Sequence, residues 1–260
     1  MRILFVGDVF GDVGRRVLSE HLPRIKDEYC VDMVIANGEN CAGGRGITPN
    51  YARKFRKYGV DIITGGNHSK EQEAVFSDPR CATYVLRPAN SSSIAAGEGV
   101  LSFSCLGESV IVINLLGRIF LRGKRMCPFV AVDGILQKLS SEEKVILVDF
   151  HAEATSEKVC MAHYLDGRVS AVVGTHTHVQ TNDARIFPHG TAFITDAGMT
   201  GPEFSAIGMK HEQVLDKILT GTNVPFTQAH AGAMFNGVLF DIDSKNGLAT
   251  SVLPLFFRYY

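Results

Sequence analysis

The chain has 260 residues, with 26 basic and 27 acidic side chains and a formal charge of -1. That length can bury one large core without a second domain, and the near-neutral balance excludes the basic footprint of a protein whose main task is holding duplex nucleic acid. No apolar run reaches bilayer-spanning length and the N-terminal run is too short for a secretory core, so a single α/β domain over residues 1–260 with a cytoplasmic location and no membrane partner is expected.

Arg2 to Val6 reads as a short strand ending in Gly7-Asp8, followed by a loop and a helix from Arg15 towards Tyr29. Pro23 is expected to kink or split that helix, since an interior proline removes a hydrogen bond and crowds the preceding turn. Glycines at 7, 11 and 14 do not follow the GxGxxG order and an aspartate stands at the strand end, which rejects a dinucleotide-binding loop. A second strand, Met33 to Ala36, ends in Asn37-Gly38-Glu39-Asn40 and a glycine-rich loop. Thr48-Pro49 then predicts a capped helix start, leading into a basic face through Arg53, Lys54, Arg56 and Lys57 that is read as solvated. A third strand, Val60 to Thr64, ends in Gly65-Gly66-Asn67-His68.

Val100–Phe103 and Val110–Leu115 across Gly107 predict a hairpin, and a basic connection through Arg118, Arg122, Lys124 and Arg125 follows, of which one arginine is within reach of a phosphate. A helix over 130–139 precedes a strand, Val145 to Asp149, that runs into Phe150-His151. A further helical stretch leads to the strand 169–173 and to Gly174-Thr175-His176-Thr177-His178, where alternate residues near a strand end are expected to aim two imidazoles the same way. Phe193 to Asp196, a helix near 211–219 and two strands, 237–242 and 248–255, complete the chain. The six cysteines show no Cys-x-x-Cys spacing and are expected to be reduced and buried, Cys41 as a loop residue.

Polar ligand types thus stand beyond successive strand ends, where open α/β sheets bind their ligands. Asp8, Glu39, Asn67, His151, His176 and His178 form an oxygen and nitrogen set that suits iron, manganese or zinc and needs no thiolate. Two ions require a shared carboxylate, for which Glu39 is chosen. Asp8 and His178 would complete one ion's ligands, and Asn67, His151 and His176 the other's. In-line attack on a phosphate by a metal-bridged hydroxide then needs an acid on the leaving-group side, and His68, next to a ligand, is placed for it. His21, His163, His189, His211 and His230 are read as structural or surface, with His211 and His230 the best placed to line a rim.

The ordered set Gly7-Asp8, Asn37-Gly38-Glu39-Asn40, Gly66-Asn67-His68, a late lone histidine and Gly174 to His178 resembles the calcineurin-like metallophosphoesterases, and more closely the bacterial YmdB-type family. The resemblance also runs through Asn114-Leu115-Leu116-Gly117-Arg118, Asp149 to Lys158 and Val173 to Gly201. It implies a four-layered α/β/β/α sandwich, a di-metal centre of iron or of manganese in its place, and phosphodiesterase activity that includes 2',3'-cyclic nucleotides. The superfamily's Asp-x-His is absent here, because Asp8-Val9-Phe10 lacks the histidine, and Glu39 replaces the usual bridging aspartate. The YmdB type shares both changes, and Asn40 or water would compensate at the ion left with fewer ligands. Relatives also carry a tryptophan soon after the Asn-His pair, whereas Ser69-Lys70-Glu71 follows His68, which bears on the fit of the leaving group. Two readings stand beside a phosphodiesterase for small cyclic nucleotides: a phosphomonoesterase or nucleotidase on the same ions, and a nucleotide-sensing regulatory protein with little turnover. A homo-oligomer is compatible with all three.

Overall fold

Strands form where β-branched and aromatic residues run together between turns, and helices where apolar residues recur on one face. In the computed structural model, which describes residues 1–259, the chain opens with β1 (Arg2–Val6), β2 (Asp8–Val9), α1 (Gly11–Glu28), β3 (Met33–Asn37), α2 (Pro49–Tyr58) and β4 (Ile62–Thr64). The middle holds α3 (Ala74–Ser77), β5 (Val100–Cys105), β6 (Glu108–Leu116), α4 (Pro128–Leu136), β7 (Val145–His151), α5 (Thr155–Leu165) and β8 (Ala171–Thr175). The last third adds β9 (Arg185–Ile186), β10 (Ala192–Ile194), β11 (Met199–Thr200), α6 (His211–Thr220), β12 (Ala233–Ile242) and β13 (Ala249–Tyr259).

Two mixed sheets result. One has the order β13-β12-β1-β3-β4, with β1, β3 and β4 parallel, and the other the order β5-β6-β7-β8-β10-β9, with β6, β7, β8 and β10 parallel. Alternation along β6 explains how they stack: Val110 and Val112 face the core shared with β1 and β3, whereas Ile111, Ile113 and Leu115 face a second core with Met161, Ala162 and Leu165 of α5. On the first sheet's outer side, Val17, Leu18 and Leu22 of α1 and Phe55 of α2 are buried. The layers therefore run helix, sheet, sheet, helix, as the resemblance implies. Parallel strands of both sheets end on one edge, which is where the candidate residues collect.

Local signals explain most boundaries. The Thr48 hydroxyl accepts from the Tyr51 amide at 3.3 Å, Pro49 takes the first helical position, and Gly59 ends α2 in the left-handed region. Arg53 and Arg56 on this helix pair with Asp78 and Asp61 at the surface. Several expectations need correction. α1 starts at Gly11, not Arg15, and continues through Pro23, whose ring lies on the exposed side, where the loss of one helical hydrogen bond is least costly. α4 starts at Pro128 and ends at Leu136, because a proline is pre-organised for the first helical position. The six cysteines are free, but only Cys41, Cys81 and Cys105 are buried; Cys30 and Cys160 are exposed. Strands β2, β9 and β11 are too short to leave a periodic signal. No described helix is long and apolar enough to cross a membrane.

The packing around β8 leaves no room for a side chain at Gly174, where an added Cβ would lie 1.8 Å from the Thr195 carbonyl oxygen. Gly174→Ala is therefore expected to cost about 3 kcal/mol or more. Gly134→Ala in α4, where an added Cβ meets nothing within 4 Å, should be neutral or stabilise by about 0.5–1 kcal/mol. Urea unfolding of both variants checks this, and equal midpoints would contradict the packing described.

Candidate metal centre

The candidate residues come together where the two sheets' strand ends meet. Asp8 is fully buried; its Oδ2 accepts from the His176 amide at 3.1 Å, and its Oδ1 has no hydrogen-bond partner. Glu39, also buried, accepts at Oε1 from the His68 amide at 2.8 Å, while Oε2 has no partner. His151, the last residue of β7, lies with Nδ1 3.7 Å from Asp8 Oδ1 and with Nε2 3.4 Å from Glu39 Oε1. The same Nε2 is 3.0 Å from Asn67 Oδ1 and 3.0 Å from His176 Nδ1. His178 lies across from Asn40, with Nε2 and Oδ1 3.2 Å apart. Gly66 permits the close approach of the β4 loop, since a Cβ there would sit 2.4 Å from His151 Nε2.

The hydrogen bonds fix which ring nitrogens carry protons. Thr175 gives its one hydroxyl hydrogen to Asp149 Oδ1 at 2.7 Å, so its oxygen accepts from His151 Nδ1 at 2.9 Å and Nε2 is left as a lone pair. That lone pair faces the Asn67 carbonyl oxygen. His178 Nδ1 donates to the Ile207 carbonyl at 2.9 Å, and Asn40 is oriented by its amide nitrogen, which donates to Gly44 O at 2.9 Å. His178 Nε2 and Asn40 Oδ1 are therefore two acceptors face to face. Burial pushes the imidazoles down, His151 well below its ordinary range and His176 to about 2, so protonation does not fill the gaps. Burial pushes the carboxyls the other way, Glu39 up to about 7 and Asp8 well above its ordinary value, Asp8 further through Asp196 and Asp149.

Among the described residues, no set of three or more His, Cys, Asp or Glu side chains stands ready-arranged to hold an ion. The donors are instead paired with one another at hydrogen-bond distance. Unpartnered carboxylate oxygens and opposed acceptors nevertheless make a chemical demand that a bound cation would meet. The oxygen and nitrogen donor set fits iron, manganese or zinc.

One expectation about geometry is overturned. His176 and His178 are not alternate residues of a strand: β8 ends at Thr175, and both histidines adopt left-handed backbone conformations, φ 105° and 66°. A turn is needed because one ring reaches back to His151 and the other forward to Asn40. Thr177 between them holds the turn, its amide and hydroxyl donating to Asp196 Oδ2 at 3.0 and 2.7 Å. The buried Lys158 ammonium donates to the same oxygen at 2.7 Å. Beneath, Asp149 accepts from Thr64 at 2.5 Å and from Asn37 at 2.9 Å, joining the sheets.

Thr177, Asp196, Lys158 and Asp149 lie in the segments that carry the resemblance but were given no role at the site. Asp149 stands two residues before His151 on the same face of its strand, and Asp196 closes a strand as Asp8 does, so both left a signal; Lys158 left none. Glu71 and Glu153 also join the site, at 2.7 Å from His68 Nδ1 and 2.8 Å from His176 Nε2. A cleft of about 300 Å³ opens over the cluster, lined by His68, His176, His178, Asn40, Arg45 and Phe10 among others. His211 and His230 do not line it: they pair with Glu212 and Asp12 at the surface. His21 stacks on Tyr259, His163 meets Phe187 edge-on and His189 pairs with Asp166. Cys41 is buried, which pushes its thiol up and away from reactivity.

Manganese added to chelated protein is expected to raise the melting temperature, and Asp8→Asn and Glu39→Gln should lose most of that rise. Without metal, the same variants should melt no lower than wild type at pH 8. Glu39 is raised from 4.5 to about 7, so its contribution to chelated stability is present below pH 4.5 and lost as pH rises through 7. Thermal scans at several pH values, with and without manganese, test both signs.

Comparison with known proteins gives a concordant result. The YmdB-like protein family model matches residues 4–255. A Bacillus subtilis protein named 2',3'-cyclic-nucleotide 2'-phosphodiesterase is 42% identical over 252 residues, covering 97% of this chain and 95% of its own length. The crystal structure of a hypothetical protein from Thermus thermophilus superposes with a TM-score of 0.91 at 41% identity, covering 99% of both chains. Another, of a phosphatase from Mycoplasma pneumoniae, gives 0.93 at 34% identity over 99% of this chain and 93% of the other. The chain belongs to the YmdB-like family, the one that its strand-end motifs resemble.

Proposed function

We propose that the protein is a metal-dependent phosphodiesterase that hydrolyses 2',3'-cyclic nucleotides. The observation that carries this reading is the cluster of opposed acceptors and unpartnered carboxylate oxygens under an open cleft with His68 at its edge. Asp8, His178 and Asn40 would hold one ion, Asn67, His151 and His176 the other, and Glu39 would stand between them. Bound there, iron, or manganese or zinc in its place, would supply Lewis acidity and lower the pKa of water towards neutrality.

The chain's own groups do the rest. The cleft is of a size to admit a mononucleotide. In the reaction, a water oxygen joins phosphorus, the bond from phosphorus to O2' breaks, and a proton ends on O2', leaving a nucleoside 3'-monophosphate. Glu71 fixes the His68 ring through Nδ1, and the His68 amide is tied to Glu39, which leaves Nε2 to deliver that proton. Neutral His151 and His176 keep their lone pairs for the ions rather than competing for protons. The Bacillus relative's name supports the cyclic substrate and the Mycoplasma relative's name supports a monoesterase as the second reading. A sensor without turnover would have no use for an imidazole oriented by both its ring and its amide.

Comparing kcat/KM for 2',3'-cyclic AMP and for AMP separates the two enzymatic readings, and the cyclic diester is expected to be preferred. His68→Ala should lower turnover about a hundredfold while both metals are retained. Undiminished turnover in that variant would remove His68 from the acid role.

A further inference from the structure

The connection from Arg118 to Arg125, between β6 and α4, is not used by the reading above, yet it begins at the site. The Gly117 amide donates to the His151 carbonyl at 2.9 Å. Beside Asn67, a narrow cleft of about 40 Å³ is lined by Asn67 and Leu116 together with Lys70, Arg122, Lys124 and Arg125. No carboxylate lines it, and Ser91 and Ser93, whose hydroxyls bond each other at 2.8 Å, line it as well. Arg125 is committed to the carbonyls of Gly117, Arg122 and Gly123, which shapes the loop. The acid that faces Arg125, Glu157, gives its oxygens to the amides of Arg118 and Ile119. In a chain of net charge -1, four cations gathered beside one candidate ligand are a local feature.

At the tip of the same loop Phe120 is 83% exposed and held at φ 63°. A left-handed backbone is unfavourable for a bulky residue, and an aromatic ring in water recovers nothing for the fold. Arg118 and Arg122 flank it, both exposed. Cations tracking a phosphate backbone, with an aromatic face among them, are what a single strand of nucleic acid needs: the cations take phosphates and the ring stacks on a base.

We propose that residues 118–125, with Lys70, form an arm for the nucleotide preceding the scissile phosphate, so that the favoured substrates are single-stranded oligonucleotides ending in a 2',3'-cyclic phosphate. The phosphate on the 5' side of the terminal nucleoside lies against Lys70, Arg122 and Lys124, and the preceding base stacks on Phe120. Asn67 belongs to both the candidate centre and this cleft, so a ligand whose terminal phosphate is at one places its neighbour at the other. The inference rests on the phosphodiesterase reading and goes beyond it in substrate class.

The test uses metal-loaded enzyme and three substrates: adenosine 2',3'-cyclic phosphate, its 5'-phosphorylated form, and the adenosine dinucleotide ending in a cyclic phosphate. The dinucleotide's kcat/KM should exceed the mononucleotide's by about tenfold, with an advantage that shrinks as salt rises. The double variant Arg122→Ala, Lys124→Ala should remove that advantage for both substrates bearing a 5' phosphate and leave the unphosphorylated mononucleotide within about twofold. Phe120→Ala should reduce only the dinucleotide. Equal kcat/KM for all three substrates, or an advantage that survives these variants, would overturn the proposal. So would self-association of the wild type that Phe120→Ala abolishes with substrate preference intact, which would make the loop a contact between copies. If wild type hydrolyses none of the three, the phosphodiesterase reading fails, and the arm is then judged by binding of the labelled dinucleotide: salt-sensitive binding lost in the double variant supports it, and binding unaffected by the variant refutes it.

Discussion

Two pairs of acceptors held face to face at the floor of the cleft govern this molecule. His151 Nε2 meets the Asn67 oxygen and His178 Nε2 meets the Asn40 oxygen, with carboxylate oxygens of Asp8 and Glu39 left without hydrogen bonds beside them. All but the half-buried Asn67 are buried groups that ordinary packing would have satisfied or removed, because an unpaired buried acceptor costs about 1–3 kcal/mol. Several such costs at one place describe a pocket shaped for positive charge rather than a failure of packing.

The surroundings are organised to hold that arrangement. Asp149 draws Thr64, Asn37 and Thr175 together and thereby sets the His151 tautomer, while the Lys158–Asp196 pair grips Thr177 and so the turn that carries two histidines. Buried ion pairs are poor stabilisers on balance. Here the pair holds two residues in left-handed conformations, and the geometry it enforces gives a reason for its retention.

How legible was this in the sequence? The strand ends were readable because continuous apolar runs stop abruptly at Asp8, Glu39-Asn40, Asn67-His68 and His151, and the fold's layers follow from the residues that must be covered on both sides of β1 and β6. The His176–His178 turn was not readable, since its conformation depends on Asp196 and Lys158, distant in sequence and joined to Thr177 only by the fold. Lys158 sits on a helix whose pattern gives no sign that one lysine is fully buried. The two-residue strands β2 and β11 exist through each other's hydrogen bonds and carry no local signal. Pro23 misled in the opposite direction: a strong local rule was overridden because the missing bond falls on the solvent side.

Metal content and 2',3'-cyclic AMP turnover measured in the same samples, from chelated protein to full loading, test the central claim most directly. The account predicts no turnover without metal and a rate that follows the second ion bound per chain. Full turnover from chelated protein holding no ion would contradict it.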